Sequence, residues 1–138
     1  MDWMREVDRR AGYDDYYTRK KLSNGMTAYV SLISDVPKMD SRQYFYVALV
    51  IAKKRKAIAR TDYFDDRMTG DGSLEGLIFA KQAITDFEAS WAGPRNIALV
   101  VGGSDSRRQK LYERYFPRMG FVKERRDGAM VMIKRIDT

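Results

Sequence analysis

Cysteine and histidine are both absent from this chain of 138 residues. Without thiols there can be no disulfide framework, no thiolate zinc site and no cysteine nucleophile. Without imidazole the usual general base and the commonest metal ligand are gone, which leaves Asp, Glu, Tyr, Lys or an ordered water to move protons. No metal site is expected. Long apolar runs are lacking as well: no stretch approaches the length of a membrane span, and the N-terminal MDWMREVDRRAGYDDYY is charged throughout, unlike a secretory leader. These absences predict a cytoplasmic protein without membrane contact. Only 3 prolines occur, and no repeat, linker or low-complexity segment is visible. The length then predicts one domain over residues 1–138.

What the chain has in excess is positive charge. Lys and Arg number 26 against 19 Asp and Glu, a net +7. That balance attracts polyanions: nucleic acid, an acidic protein surface or an anionic cofactor.

In chain order, a short helix is predicted over Trp3 to Arg10, ending near Gly12. Asn24-Gly25 is a strong hairpin signal because both residues tolerate positive φ, and it should join strands Tyr17 to Leu22 and Thr27 to Ile33. Asp35 to Gln43, with Pro37, reads as a loop. Tyr44 to Ala52 (YFYVALVIA) is aromatic, β-branched and apolar on both faces, as a central strand would be. It runs into KKRKAIAR, whose cations Lys53, Lys54, Arg55, Lys56 and Arg60 suit a solvated turn or a phosphate contact. A further strand is predicted through Ala57 to Phe64.

The stretch around which the chain is organised is RMTGDGS, Arg67 to Ser73. Backbone amides of a glycine-containing turn that opens into a helix form a seat for phosphate, since first-turn N–H groups lack internal partners and the helix dipole favours negative charge there. Behind the turn, Leu77, Ala80, Ile84, Phe87 and Trp91 recur at helical spacing, so one face should pack on a sheet. Gly93-Pro94 stops that helix. Asn96 to Val101 reads as a buried strand, and strand, helix, strand implies a parallel crossover pair. Gly102 to Asp105 turn the chain into a second helix over Ser106 to Phe116. Phe121 to Arg126 and Ala129 to Ile136 should pair around Asp127-Gly128.

In this order the blocks resemble the GNAT superfamily of acyl-CoA-dependent N-acetyltransferases. RMTGDGSLEGLIFAKQAI is similar to that family's pyrophosphate-binding turn and helix, with Arg67, Gly70 and Gly72 at the family spacing. IALVVGGSDSRRQKLYERYFPRMGF resembles its second block, with Asp105 where the family often has Asn and Tyr112 where it has a frequent catalytic Tyr. MGFVKERRDGAMVMIKRI is similar to the closing Gly-Phe and last hairpin. Three features depart from the pattern. Four extra residues separate Tyr112 from Gly120, so Tyr115 competes for the Tyr112 position; no Pro precedes the turn, where Phe64, Asp65 and Asp66 stand; and the N-terminal region is short for the family's first strand and paired helices.

The resemblance implies an α/β (α+β) fold: a mixed, mostly antiparallel central sheet with a parallel, splayed strand pair and flanking helices. It implies acetyl-CoA as co-substrate, its pyrophosphate held by Arg67, Met68, Thr69, Gly70, Asp71, Gly72 and Ser73, with Asp105 beside the cofactor. The pantetheine arm would lie between the strand ending near Tyr63 and Ile97 to Val101. An amine of a small molecule or protein would attack the thioester directly, Asp62 or water taking its proton and Tyr112 or Tyr115 protonating the leaving thiolate. The other reading is a non-enzymatic GNAT-like module that binds nucleic acid or protein through Tyr44, Tyr46 and the Lys53 to Arg60 run. Acceptor and oligomeric state are left open by the sequence.

Overall fold

The computed structural model describes residues 1–8, 12–35, 42–52, 73–91, 96–102, 106–126 and 128–137. Seven strands, β1 (Met4–Asp8), β2 (Tyr13–Lys21), β3 (Thr27–Asp35), β4 (Gln43–Ala52), β5 (Ile97–Val101), β6 (Val122–Arg126) and β7 (Ala129–Ile136), form one sheet in the order β1-β2-β3-β4-β5-β7-β6. Every neighbouring pair is antiparallel except β4 and β5. Helix α1 (Ser73–Ser90) links that parallel pair, and α2 (Ser106–Tyr115), tightening into a 3-10 turn (Phe116–Met119), links β5 to the last hairpin. No helix among the described residues is long and apolar enough to cross a membrane.

Local chemistry accounts for the turns. Gly25 takes φ 84° between β2 and β3, the Asn24 side chain accepts from the Met26 N–H at 2.9 Å, and Leu22 N–H donates to Met26 C=O at 2.7 Å. Gly128 (φ 82°) turns β6 into β7, and Gly120 (φ 91°) ends the 3-10 turn in the left-handed conformation that a side chain disfavours.

Among the described residues, α1 and α2 pack on one face of the sheet. Ala28, Val30 and Leu32 of β3, Phe45, Val47, Leu49 and Ile51 of β4, and Ile97, Leu99 and Val101 of β5 meet Leu77, Ala80, Ile84 and Phe87 of α1 in one core, joined by Tyr112 and Phe116 from the α2 side. The predicted α1 stripe is present and is widened by Phe79 and Ala83. Residues of the opposite parity, Ala98, Val100 and Ile133, gather Tyr44, Tyr46 and Val131 on the other face.

Two expectations are corrected. Trp3 to Arg10 is not a helix: Met4–Asp8 pairs with Tyr13–Tyr17 as an edge strand, which also starts β2 at Tyr13 rather than Tyr17. Tertiary contacts override local pattern here. The Trp3 indole N–H donates to Asp86 at 2.7 Å and its ring meets Phe87 edge-on at 5.5 Å. Arg5 binds both oxygens of Asp14 (3.0 and 3.1 Å) and lies 5.1 Å over the Tyr16 ring. Burial, with the Asp14 charge beside it, pushes the Tyr16 phenol above its ordinary pKa. The second correction concerns the neighbour of Ile97–Val101, which is β4 itself. Among the described residues β5 lies between β4 and β7; the partner expected from sequence is a strand through Ala57 to Phe64. That segment, like the Lys53 to Arg60 run, the loop around Pro37 and Gly93-Pro94, lies outside the described residues.

Candidate functional site

The parallel pair decides where a ligand would sit. Because β4 and β5 run the same way, their carboxyl ends lie at one end of the sheet, where helices that follow such strands begin; crevices outside those ends are common ligand sites in α/β proteins. Contacts along α1 fix its direction. Gly76, in its first turn, sits against Ile51 near the end of β4, and Phe87, toward its far end, stacks edge-on with Phe45 near the start of β4 at 5.3 Å. The N-terminus of α1 therefore lies at the carboxyl end of β4.

Pairing between β4 and β5 covers Gln43↔Ile97 to Tyr46↔Val100 and goes no further, although β4 continues to Ala52. From Tyr46 to Ala52 the other edge of β4 stays bonded to β3. In a strand, alternate residues direct both backbone N–H and C=O to the same side. Every second residue of Val47–Ala52 thus offers a donor and an acceptor toward an edge that no strand among the described residues fills.

One wall of this end is built by the β2–β3 turn. Ser23 donates from its backbone N–H (2.8 Å) and its hydroxyl (3.2 Å) to Glu75, an acidic residue in the first turn of α1 where the helix dipole favours it.

The sequence-predicted residues divide into two groups. Asp62, Asp65, Asp66, Arg67, Met68, Thr69, Gly70, Asp71, Gly72 and Asp105 lie outside the described residues. Ser73 is the first residue of α1, so the Arg-x-x-Gly-x-Gly stretch immediately precedes that helix. Tyr112 is 1% exposed, its ring edge-on to Phe116 at 5.6 Å. Tyr115 is half-buried between Lys81 of α1 and Arg114, each 5.5 Å from its ring centroid. The two tyrosines are thus in different surroundings, one in the core and one at its margin.

Comparison with family models, with curated proteins and with solved structures finds no match. What stands is the architecture: a mixed, mostly antiparallel sheet with one parallel pair and flanking helices, broadly compatible with a GNAT-like layout. Among the described residues no three carboxylates stand together as a metal site would need.

A cluster that sequence reasoning missed lies on the face away from α1 and α2. Tyr44 and Tyr46 share it with the last hairpin: the Arg126 guanidinium stacks 4.2 Å from the Tyr44 ring centroid and donates to the Tyr46 hydroxyl at 3.5 Å. Arg135 donates to both oxygens of Glu124 at 3.0 Å. The hydrogen bond to Tyr46 is the main influence raising the Arg126 pKa above its ordinary value. Period-two alternation through the Asp127-Gly128 hairpin is the signal that places Glu124, Arg126 and Arg135 on one face.

Proposed function

We propose that this chain is a GNAT-like N-acetyltransferase that transfers an acetyl group from acetyl-CoA to a primary amine. The observation that carries the reading is that β5 ends at Val101 while β4 runs on to Ala52, which leaves the β4 edge beyond Tyr46 without a strand among the described residues, at the end of the sheet where α1 begins. An extended pantetheine arm has two amides, and these match the alternating donors and acceptors along Val47–Ala52 as an added strand would. The pyrophosphate would rest on the N–H groups of Met68 to Ser73, where Gly70 and Gly72 let the backbone approach closely. Asp71 would point away from it.

Chemically, the amine nitrogen attacks the thioester carbonyl, the C–S bond breaks, and the thiolate takes a proton from Tyr112 or Tyr115. The proton released by the amine passes to Asp62 or to water. Because the chain has no cysteine, a free-thiol assay with acetyl-CoA and a panel of diamines and lysine peptides reads CoA release without background. Tyr112→Phe keeps the ring that packs on Phe116 and removes the phenolic hydroxyl that would supply the proton. Its kcat is expected to fall by about 10²–10⁴ with KM for acetyl-CoA little changed, while Tyr115→Phe stays within a few-fold of the parent. The reverse order would assign the acid to Tyr115, and two unaffected variants would remove tyrosine from the chemistry.

A further inference from the structure

The net charge of +7 is unevenly distributed: residues 106–138 hold ten Lys and Arg against four Asp and Glu, so this last quarter of the chain carries +6 of it. Much of that charge is placed along one edge. Lys110 and Arg114 are one turn apart on α2, on the side away from the buried Tyr112 and Phe116, and Arg118 follows on the 3-10 turn; all three are exposed. Lys123 and Arg125 alternate along β6, the edge strand of the sheet, and are exposed as well. The two rows are joined where Lys123 meets Glu113 of α2 at 2.9 Å. No carboxylate among the described residues pairs with Lys110, Arg114, Arg118 or Arg125.

Cations stacked at i, i+4 repel each other and destabilise a helix unless something neutralises them. A solvated helix face gains nothing from such a stripe; an anionic ligand laid along it does. We propose that the α2–β6 edge binds the phosphodiester backbone of a nucleic acid.

The composition of the patch separates this partner from an acidic protein. Protein interfaces centre on apolar and aromatic residues and are depleted in Lys, whereas nucleic-acid interfaces are polar and strongly positive. Among the described residues, the exposed large apolar side chains on these elements are Leu111, 37% exposed, and Val122, 59% exposed. Three of the five cations are arginines, whose planar fork suits phosphate oxygens. Contacts to phosphate carry no sequence information, so binding should be indifferent to base sequence and strongly salt-dependent.

The test is fluorescence anisotropy of a labelled single-stranded oligonucleotide of mixed sequence with the full chain across a salt series. Binding in about the micromolar range at low salt is expected, with log K falling against log salt at a slope of about −3, as four to five released counterions require. The triple variant Lys110→Gln, Arg114→Gln, Arg118→Gln should bind at least about tenfold more weakly, with a slope smaller by about 2. A control, Lys20→Gln with Lys21→Gln, removes exposed charge at the far end of β2 and should leave the slope within about one unit of the parent. Loss of binding in the control equal to that in the triple variant would show that net charge and not this edge is responsible. Polyglutamate competing as well as unlabelled oligonucleotide at equal charge would assign the edge to acidic proteins. Either result, or an unchanged triple variant, overturns the proposal.

Discussion

Replacing Phe87 by alanine is expected to lower stability by about 3–5 kcal/mol, a large part of what a domain of this size possesses. Phe87 is 3% exposed and touches rings from three other parts of the chain, Trp3 at 5.5 Å, Tyr16 at 5.4 Å and Phe45 at 5.3 Å, and the ring of Trp91, one turn further on, at 5.7 Å. The loss has two parts, the apolar area returned to water on unfolding and a cavity that its neighbours cannot close, since Tyr16, Phe45 and Trp91 already brace one another. The edge strand β1 is held to the body through this cluster, so it should loosen first. A melting temperature lower by about 10 °C or more, with hydrogen exchange accelerated in Met4–Asp8, is the expected result. A fall of only a degree or two would mean that the aromatic cluster is not the anchor of the N-terminal strand.

The second large effect is expected at Gly76. Glycine inside a helix ordinarily costs up to about 1 kcal/mol relative to alanine, so Gly76→Ala should stabilise if space were open. It is not: a Cβ there would stand 2.6 Å from the Cδ1 and 3.3 Å from the Cγ1 of Ile51, a residue with no exposed surface. Overpacking of this kind costs about 1–3 kcal/mol, which outweighs the gain in propensity. Gly76→Ala is therefore expected to destabilise by about 1 kcal/mol, and Gly76→Leu to push α1 off β4 and leave little folded protein. Urea midpoints would report both. Ile51→Val removes the Cδ1 that clashes, so it should make Gly76→Ala neutral or stabilising. A cycle in which the two substitutions add without coupling would contradict the close helix–strand contact.

This glycine also shows why some of the structure was legible and some was not. A glycine in the first turn of an apolar-striped helix does not announce its role in the sequence; the approach of Ile51 assigns it to packing. Elements with strong local chemistry are where the sequence places them: the Asn24-Gly25 and Asp127-Gly128 hairpins, the YFYVALVIA strand, the striped α1 and the buried IALVV strand. The N-terminal strand was not readable. Trp3, Arg5 and Val7 alternate, but the charges of Arg5, Glu6 and Asp8 resemble an exposed helix, and the partners that settle the matter, Asp14 across the β1–β2 pair and Asp86 and Phe87 on α1, lie outside the segment. The parallel partner of β5 is likewise set by contacts distant in sequence. Nothing in Ala57 to Phe64 reveals that, among the described residues, β5 lies between β4 and β7.

For the candidate site, residue types and spacing announced a helix start preceded by glycines and two tyrosines on the following helix. The difference between those tyrosines, one sealed against Phe116 and one bracketed by Lys81 and Arg114, is a property of how α2 seats on α1. No spacing rule contains it. The cations of the last hairpin were likewise visible as composition but not as two faces, one stacking Arg126 on Tyr44, the other presenting Lys123 and Arg125 beside α2.

The proposed acyl transfer depends first on cofactor binding, and isothermal calorimetry of the full chain with acetyl-CoA and with CoA tests this most directly. One site per chain is expected, with a Kd of about micromolar, equivalent to roughly −8 kcal/mol. Binding should be abolished in Gly70→Glu, which would fill the proposed phosphate seat, and retained in Lys20→Gln. Folded protein that takes up no heat from either ligand, or a Gly70→Glu variant that binds as tightly as the parent, would contradict a CoA site at the turn before α1.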